Sequence, residues 1–207
     1  RQLACALVAQ TRAGTRVFHV PLPTQCVLYE LADQGGNILV GGMAMTAKSV
    51  GGRWWLYHRS LSIPGHEALL IRENWDQLLD NHMSKMVHEV PALGGRWYQD
   101  PPRAVFGKGS DESIITCGHM ADAGSVFRYR GGNKGAVLAD EGVLYPVDHE
   151  GVSVLAELRT VSRKEYTDRR GRLVKPVFAV STNPGGPSNP WLMDFFITKT
   201  PDYDKYP

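Results

Sequence analysis

The sequence predicts a mainly β fold, an antiparallel β-sandwich or barrel that carries one amphipathic helix. Glycine and proline contribute 22 and 13 of the 207 residues, together about 17% against an average of roughly 12%, and this excess favours many turns. At least seven short segments have the composition or the alternation of strands, and such turns separate them. Helical periodicity is confined to one stretch near the middle of the chain.

The chain is expected to form a single domain over residues 1–207, because its length suits one large domain and no linker or repeat interrupts it. An apolar run over 3–9 follows a single arginine and is too short for a complete signal peptide. We therefore expect an arm over about 1–14 that packs on the body of the domain.

Four strands are predicted in the first half of the chain. Segment 15–21 ends at a pair of prolines, and segment 26–31 precedes a glycine-rich turn. Segment 38–46 contains Gly41 and Gly42, which indicate a bulge. In segment 53–58, Trp54 and Trp55 are adjacent and would point to opposite faces of a strand. One of them is then expected in the core and the other at an interface.

The amphipathic helix is predicted over about 67–88, between Pro64 and Pro91. Its apolar residues recur at steps of three and four and form one stripe, which would cover a face or an edge of the sheet. The stripe consists of Ile71, Trp75, Leu78, Leu79, His82, Met83, Met86 and Val87.

The second half is predicted to be β-rich, because several of its segments alternate apolar and polar side chains. Glycine, proline and asparagine clusters mark the turns between them. The predicted strands are 113–117, 125–130, 136–138, 142–145, 152–158, 174–180 and 191–199.

Composition and motifs exclude several classes of function. A net charge of +2 gives no whole-chain bias towards nucleic acid or membrane, and no apolar run reaches the length of a spanning helix. The three cysteines form no CxxC pair and the histidines do not converge, so neither a disulfide scaffold nor a metal site is predicted. No P-loop or GxGxxG pattern is found, and no cofactor is expected.

One segment, 159–175, is strongly basic and carries a net charge of +5. Such a charge can neutralise phosphates without sequence preference, and it also suits a solvated loop between two strands. The candidate nucleic-acid contacts are Arg159, Arg163, Lys164, Arg169, Arg170, Arg172 and Lys175.

A peptidase is an alternative function. His119 follows an apolar stretch in a pattern similar to that of the chymotrypsin-like proteases, and Asp148 lies where the acid would fall. A cysteine peptidase would instead pair Cys26 with His119. The required Gly-x-Ser-Gly or Gly-x-Cys-Gly is missing, so one role of the triad is unfilled and no catalytic residue is assigned.

Segments 177–184 and 191–203 resemble the last two strands of a jelly-roll coat protein of the picorna-like viruses, most closely the small coat protein of comoviruses. In that family a strand ends in a turn similar to Thr182-Asn183-Pro184, and a proline-aromatic tail follows the final strand. The resemblance covers about 30 residues well and implies a jelly-roll β-sandwich.

The resemblance implies a structural subunit of a viral capsid without enzymatic activity. Its partners would be other copies of itself or sister coat proteins, with the basic segment towards an RNA genome and no membrane. It would be assembled in the host cytoplasm and located in the virion. A non-catalytic subunit of another large assembly, such as a phage tail, is a further alternative. Aromatic residues are enriched at interfaces, and the candidate interface residues are Trp54, Trp55, Trp191 and Tyr203.

Overall fold

The computed structural model describes residues 7–11, 14–42 and 47–198. Its centre is a seven-stranded sheet, and two short antiparallel hairpins, β1-β2 and β9-β10, lie outside that sheet. The strands are β1 (Leu7–Thr11), β2 (Gly14–His19), β3 (Gly36–Val40), β4 (Glu67–Arg72), β5 (Arg96–Gln99), β6 (Pro102–Phe106), β7 (Ser113–His119), β8 (Ala136–Asp140), β9 (Tyr166–Thr167), β10 (Leu173–Val174) and β11 (Val177–Ser181).

Helices cover both faces of the sheet. The α-helices are α1 (Pro23–Gln34), α2 (Lys48–Ser62), α3 (Trp75–Leu78), α4 (Ser84–Ala92), α5 (Leu155–Arg159) and α6 (Asn189–Met193). A π-helical turn, Leu79–Met83, joins α3 to α4, and a second one, Asp194–Thr198, follows α6. Short 3₁₀ turns span Gly109–Asp111, Ala123–Arg128 and Gly142–Leu144.

The strand order is β3-β11-β8-β4-β7-β6-β5. The first five strands in this order are parallel to their neighbours, whereas β6 and β5 are added antiparallel at one edge. Parallel strands need crossover connections, which α2 supplies between β3 and β4. The fold is therefore mixed α/β with a mostly parallel sheet.

Two apolar clusters, one on each face of the sheet, form the core. Ala68 and Leu70 of β4 belong to the cluster under α1, α2 and α4, while Leu69 and Ile71 belong to the cluster under α5 and α6. Every residue of β8 and of β11 is buried. Strands covered on both faces are apolar throughout and do not alternate with polar residues. In β8, every residue before the final Asp140 is apolar.

The predicted antiparallel jelly-roll sandwich is therefore wrong, and the errors have physical causes. Predicted strand 53–58 lies within α2, where Trp54, Trp55, Leu56 and Tyr57 are all buried. A helix buried around most of its circumference shows no amphipathic stripe. Predicted strand 26–31 lies within α1, and segments 125–130, 142–145, 152–158 and 191–199 contain helical turns or short helices instead of strands.

The predicted helix over 67–88 is also wrong at its start. Residues Glu67–Arg72 form the buried strand β4, and helical structure begins only at Trp75. The side chain of Asn74 caps that beginning by accepting the amide of Gln77 at 3.0 Å. Ile71 matched the helical stripe by spacing alone.

No helix in the described part of the chain is long and apolar enough to span a bilayer. The expected single domain over 1–207 stays a prediction. Of the expected arm over 1–14, residues 1–6 and 12–13 lie outside the described residues, and the rest includes β1.

Candidate functional site

The carboxyl ends of the parallel strands meet at one edge of the sheet. Ser181 of β11 is paired with Val40 of β3 on one side and with Asp140 of β8 on the other, and Asp140 is paired with Arg72 of β4. In open α/β sheets, ligands bind at this edge. The polar ends of these apolar strands therefore form the candidate site.

The connection from β3 to α2 approaches this edge. Gly42 has a φ of 147° and Ala47 a φ of 53°, and residues 43–46 between them lie outside the described residues. Ala47 is the N-cap of α2 and supplies no side-chain acceptor to the first-turn amides. The first-turn amides of a helix, here one of 15 residues, favour an anion.

The first two side chains of α2 point into the site. Lys48 Nζ donates to the carbonyl oxygen of Gly42 at 3.0 Å and to Asn183 Oδ1 at 2.9 Å. Ser49 Oγ donates to Asp140 Oδ1 at 3.0 Å. The start of α2 is thereby joined to the ends of β8 and β11.

Asp140 is 1% exposed, and both of its carboxylate oxygens are hydrogen-bonded. Its Oδ1 also accepts from Ser181 Oγ, and its Oδ2 accepts from Arg72 Nη1 at 3.0 Å and lies 2.9 Å from His82 Nε2. Burial by itself raises the pKa of Asp140, but the hydrogen bonds from His82 and Ser181 and the charge of Arg72 lower this pKa to about 2. Asp140 is therefore a buried carboxylate at neutral pH.

A second carboxylate, Glu141, follows immediately. It has a φ of 56°, in the left-handed region that costs energy for most residues other than glycine. Its Oε1 lies 3.6 Å from Arg72 Nη2, and its Oε2 accepts from Asn183 Nδ2 at 3.3 Å. Such strain is found at functional sites when the surroundings hold it in place.

The loop has the form Gly-x-x-x-x-Ala-Lys-Ser from Gly42 to Ser49. The P-loop of nucleotide-binding proteins is G-x-x-x-x-G-K-[ST], and it also lies between a strand and a helix. The one departure is Ala47, which nonetheless has the positive φ that a glycine would adopt there. Asp140, at the end of the apolar strand β8, is of the residue type that holds Mg²⁺ beside such a loop in P-loop proteins, and a second carboxylate, Glu141, follows it.

The site fits a magnesium-bound nucleotide. In P-loop proteins backbone amides and the lysine hold the phosphates, while the serine or threonine and an aspartate hold Mg²⁺. Ser49 and Asp140, in contact here, are the residues of those types. Within the described residues no group of three or more His, Cys, Asp or Glu could hold a metal ion, but Mg²⁺ on a nucleotide needs only one or two carboxylates.

Sequence reasoning missed this site because it tested a strict pattern. Ala47 breaks the pattern, and Gly41 and Gly42 also suit a bulge in a strand. The signal that could have found the site is a combination: an apolar segment, two glycines, Lys-Ser at the start of a helix, and a second apolar segment ending in Asp-Glu.

The predicted interface residues lie in different places. Trp54 and Trp55 are buried in α2, at 8% and 1% exposure, and Trp191 on α6 stacks on Phe195 with ring centroids 5.0 Å apart. Tyr203 lies outside the described residues. A role of these four residues at an interface stays a prediction.

The predicted nucleic-acid contacts lie from the end of α5 to the start of β11, near the amino ends of the parallel strands. Lys164 pairs with Glu67 at 2.9 Å, Arg169 with Asp111 at 3.6 Å and Arg172 with Asp168 at 2.8 Å. Four of the seven have no carboxylate within 4.0 Å among the described residues, namely Arg159, Arg163, Arg170 and Lys175. Nucleic-acid binding by this segment stays a prediction.

The candidate peptidase residues do not form a triad in the described structure. Cys26 is buried in α1. The ring of His119, at the end of β7, lies edge to face with the ring of Trp75, with ring centroids 5.3 Å apart. The side chain of Asp148 is exposed and accepts the amides of Glu150 and Val152 in its own turn.

Comparison with known proteins identifies the fold. No protein-family model and no curated protein sequence matches the chain. The structure is similar to the ATPase domain of the large terminase of Thermus phage P74-26, with a TM-score of 0.58 and 16% identity over 85% of this chain and 69% of that one. It is also similar to the large terminase of a second thermophilic bacteriophage, with a TM-score of 0.65 and 12% identity over 87% of this chain.

The HK97 bacteriophage large terminase gives a TM-score of 0.60 and 13% identity over 90% of this chain. This chain spans 43% of the second thermophilic-phage terminase and 38% of the HK97 terminase, so it corresponds to less than half of those proteins. The second thermophilic-phage terminase was also solved in complex with ATP-γ-S and with ADP. At these identities the similarity establishes a terminase-ATPase-like, RecA-like fold.

These findings overturn the coat-protein prediction. The segment that resembled two jelly-roll strands contains a central parallel strand, β11, and a helix, α6. The capsid function, the coat-protein and RNA-genome partners and the virion location are wrong, because the similar structures are phage large-terminase ATPase domains. The peptidase and phage-tail alternatives are wrong for the same reason, and so is the prediction that the protein is not an enzyme.

Proposed function

We propose that this chain is an ATP-hydrolysing domain of the large-terminase type, which uses ATP to drive the packaging of phage DNA. One observation carries the proposal: Lys48, Ser49, Asp140 and Glu141 meet at the carboxyl edge of the sheet of a terminase-ATPase-like fold. Each residue is of the type that phosphate binding, Mg²⁺ binding or water activation requires.

The residues divide the chemistry between them. The first-turn amides of α2 and Lys48 would bind the phosphates, and Ser49 with Asp140 would hold Mg²⁺, which neutralises phosphate charge when bound. Glu141 would orient the attacking water and accept its proton. Asn183 hydrogen-bonds both Lys48 and Glu141, so it would fix the position of the phosphate-binding lysine relative to the glutamate that acts as the base.

A cleft beside Lys48, between α1 and the start of α2, would accept the rest of the nucleotide. Leu28, Val40 and Gly51 line this cleft and give it an apolar wall. Gln25 also lines it, and this side chain donates from Nε2 to the carbonyl oxygen of Ala47 at 2.9 Å and accepts the amide of Leu22. The cleft therefore borders the loop that precedes α2.

DNA is the proposed partner of the basic segment. Arg163, Arg170 and Lys175 are at least partly exposed, and phosphate contacts of this kind need no sequence preference. The other proposed partners are the remaining proteins of a packaging motor, such as portal and small terminase. A motor of this type acts in the infected cell.

Hydrolysis of ATP by purified variants tests the proposal. We expect magnesium-dependent hydrolysis by the wild type, with and without DNA. Lys48→Ala and Glu141→Gln should each lower the rate on the order of 100-fold or more, because each removes a group that stabilises charge or moves a proton in the transition state. Lys85→Ala, an exposed lysine on α4, should leave the rate unchanged. A folded wild type without hydrolysis, or equal rates for wild type and Lys48→Ala, would contradict the proposal.

A further inference from the structure

A histidine outside the phosphate-binding elements contacts the buried carboxylate of the site. The side chain of His82 is 0% exposed, and its Nε2 lies 2.9 Å from Asp140 Oδ2. Its Nδ1 has no hydrogen-bond partner in the described part of the chain. Among the described residues, the imidazole of His82 therefore makes its hydrogen bond with Asp140.

The position of His82 depends on an irregular turn. The turn Leu79–Met83 is π-helical, a rare geometry that occurs frequently at functional sites. It lies between α3 and α4, so the side chains that follow are displaced relative to a continuous α-helix. The turn thus brings a polar imidazole to the sheet from a helical segment whose buried neighbours, Leu78 and Met83, are apolar.

Helix α2 holds this turn in place. Arg53 Nη1 donates to the carbonyl oxygen of Asn81 at 3.2 Å, next to His82 in the chain. Arg53 is itself fixed by Glu89, through contacts of 2.7 and 2.9 Å, and Tyr57 also donates to Glu89. The helix that begins with Lys48 and Ser49 is thereby tied to the turn that carries His82.

The four contacts of Asp140 are divided between its two oxygens. Oδ1 accepts from Ser49 at the start of α2 and from Ser181 at the end of β11. Oδ2 accepts from Arg72 Nη1 at 3.0 Å and lies 2.9 Å from His82 Nε2. Contacts on Oδ2 fix the plane of the carboxylate and leave Oδ1 directed at Ser49.

We propose that His82 is a positioning residue that orients Asp140 for Mg²⁺, a role that rests on the proposed function. Groups that hydrogen-bond a metal-binding side chain from outside typically contribute about 10- to 100-fold to metal affinity. Loss of the His82 contact should therefore weaken nucleotide binding only when Mg²⁺ takes part in it.

The test is the affinity of the full chain for a fluorescent ATP-γ-S derivative, measured with Mg²⁺ and with EDTA. We expect His82→Leu to raise Kd with Mg²⁺ by about 10- to 100-fold and to leave Kd in EDTA unchanged. His82→Gln keeps an N–H donor near the position of Nε2 and should retain most of the affinity. His82→Asn carries its amide one bond shorter and should behave like His82→Leu. The control is His88→Gln, an exposed histidine on α4, which should bind like the wild type.

Thermal unfolding of each variant shows that it is folded, and the Gln and Asn pair keeps the test valid should His82→Leu not fold. Equal Mg²⁺-dependent affinity in His82→Asn and the wild type would overturn the inference. Equal weakening with Mg²⁺ and with EDTA would also overturn it, because it would indicate a purely structural role. A wild type that binds no nucleotide would overturn the proposed function together with this inference.

Discussion

Two residues at the edge of the site have the backbone conformation that glycine adopts most easily. Ala47 has a φ of 53° and Glu141 a φ of 56°. For residues with a Cβ this region costs roughly 1–2 kcal/mol. Both flank the contact between Ser49 and Asp140, so strain is concentrated where the proposed chemistry occurs.

Ala47→Gly should relieve part of that strain. We expect the free energy of unfolding, measured with urea, to rise by up to about 1 kcal/mol, because relief of roughly 1–2 kcal/mol of strain exceeds the roughly 0.4–1 kcal/mol of backbone entropy that glycine costs. Nucleotide affinity should be retained because the loop geometry is unchanged. Ala156→Gly in α5 is the matched control and should lower this free energy by about 0.5–1 kcal/mol, since glycine is unfavourable in an ordinary helix. A lower free energy of unfolding in Ala47→Gly would show that its conformation is not strained.

The same residue explains why the site was not predicted. The P-loop pattern requires a glycine before Lys-Ser, and this chain has Ala47 there. The loop therefore does not match the pattern, although Lys48 and Ser49 do. Asp140 and Glu141 offered a second signal, because they end a fully apolar run. Neither signal is specific alone, and their proximity depends on the pairing of β3, β11 and β8, which local sequence does not encode.

At the scale of elements, α2 shows how burial removes the periodic signal. Trp54, Trp55, Leu56 and Tyr57 are all buried, and the helix packs closely on β8. A Cβ on Gly52 would lie 2.6 Å from the side chain of Leu138, so a glycine is needed at this approach. Two glycines and four apolar residues in a row favoured a strand in sequence, although tertiary packing made them a helix.

The loop around the β9-β10 hairpin is the element proposed to contact DNA. Replacing Arg163 and Arg170 together with alanine should weaken DNA binding about equally for all sequences. The slope of log K against log salt concentration is negative, and its magnitude should decrease by about two. Each lost phosphate contact means that about one counterion fewer is released on binding. Titration of labelled duplex DNA at several salt concentrations measures this.

Lys85→Ala with Lys108→Ala removes two exposed charges elsewhere and is the matched control for this experiment. It should leave the salt slope unchanged. Equal slopes for the arginine variant and the wild type would contradict a role of the hairpin in DNA binding.

At the scale of the molecule, the sequence predicted some individual strands but not the architecture. The predicted strands 113–117 and 136–138 lie within β7 and β8, and the basic segment forms a loop with its own short hairpin. Whether strands pair parallel or antiparallel is set by distant partners, so a resemblance over about 30 residues could suggest the wrong sheet. The five parallel strands bring together residues from 40 to 183 at one edge, and that arrangement defines the site.

Calorimetric titration of the chain with ATP-γ-S is the decisive measurement, because binding requires only the nucleotide site at the sheet edge and no packaging partner. We predict one nucleotide bound per chain in the presence of Mg²⁺, weaker binding when EDTA removes the metal, and no measurable binding by Lys48→Ala. Lys85→Ala should bind like the wild type. Absence of binding by the folded wild type, or undiminished binding by Lys48→Ala, would contradict a nucleotide site at this edge.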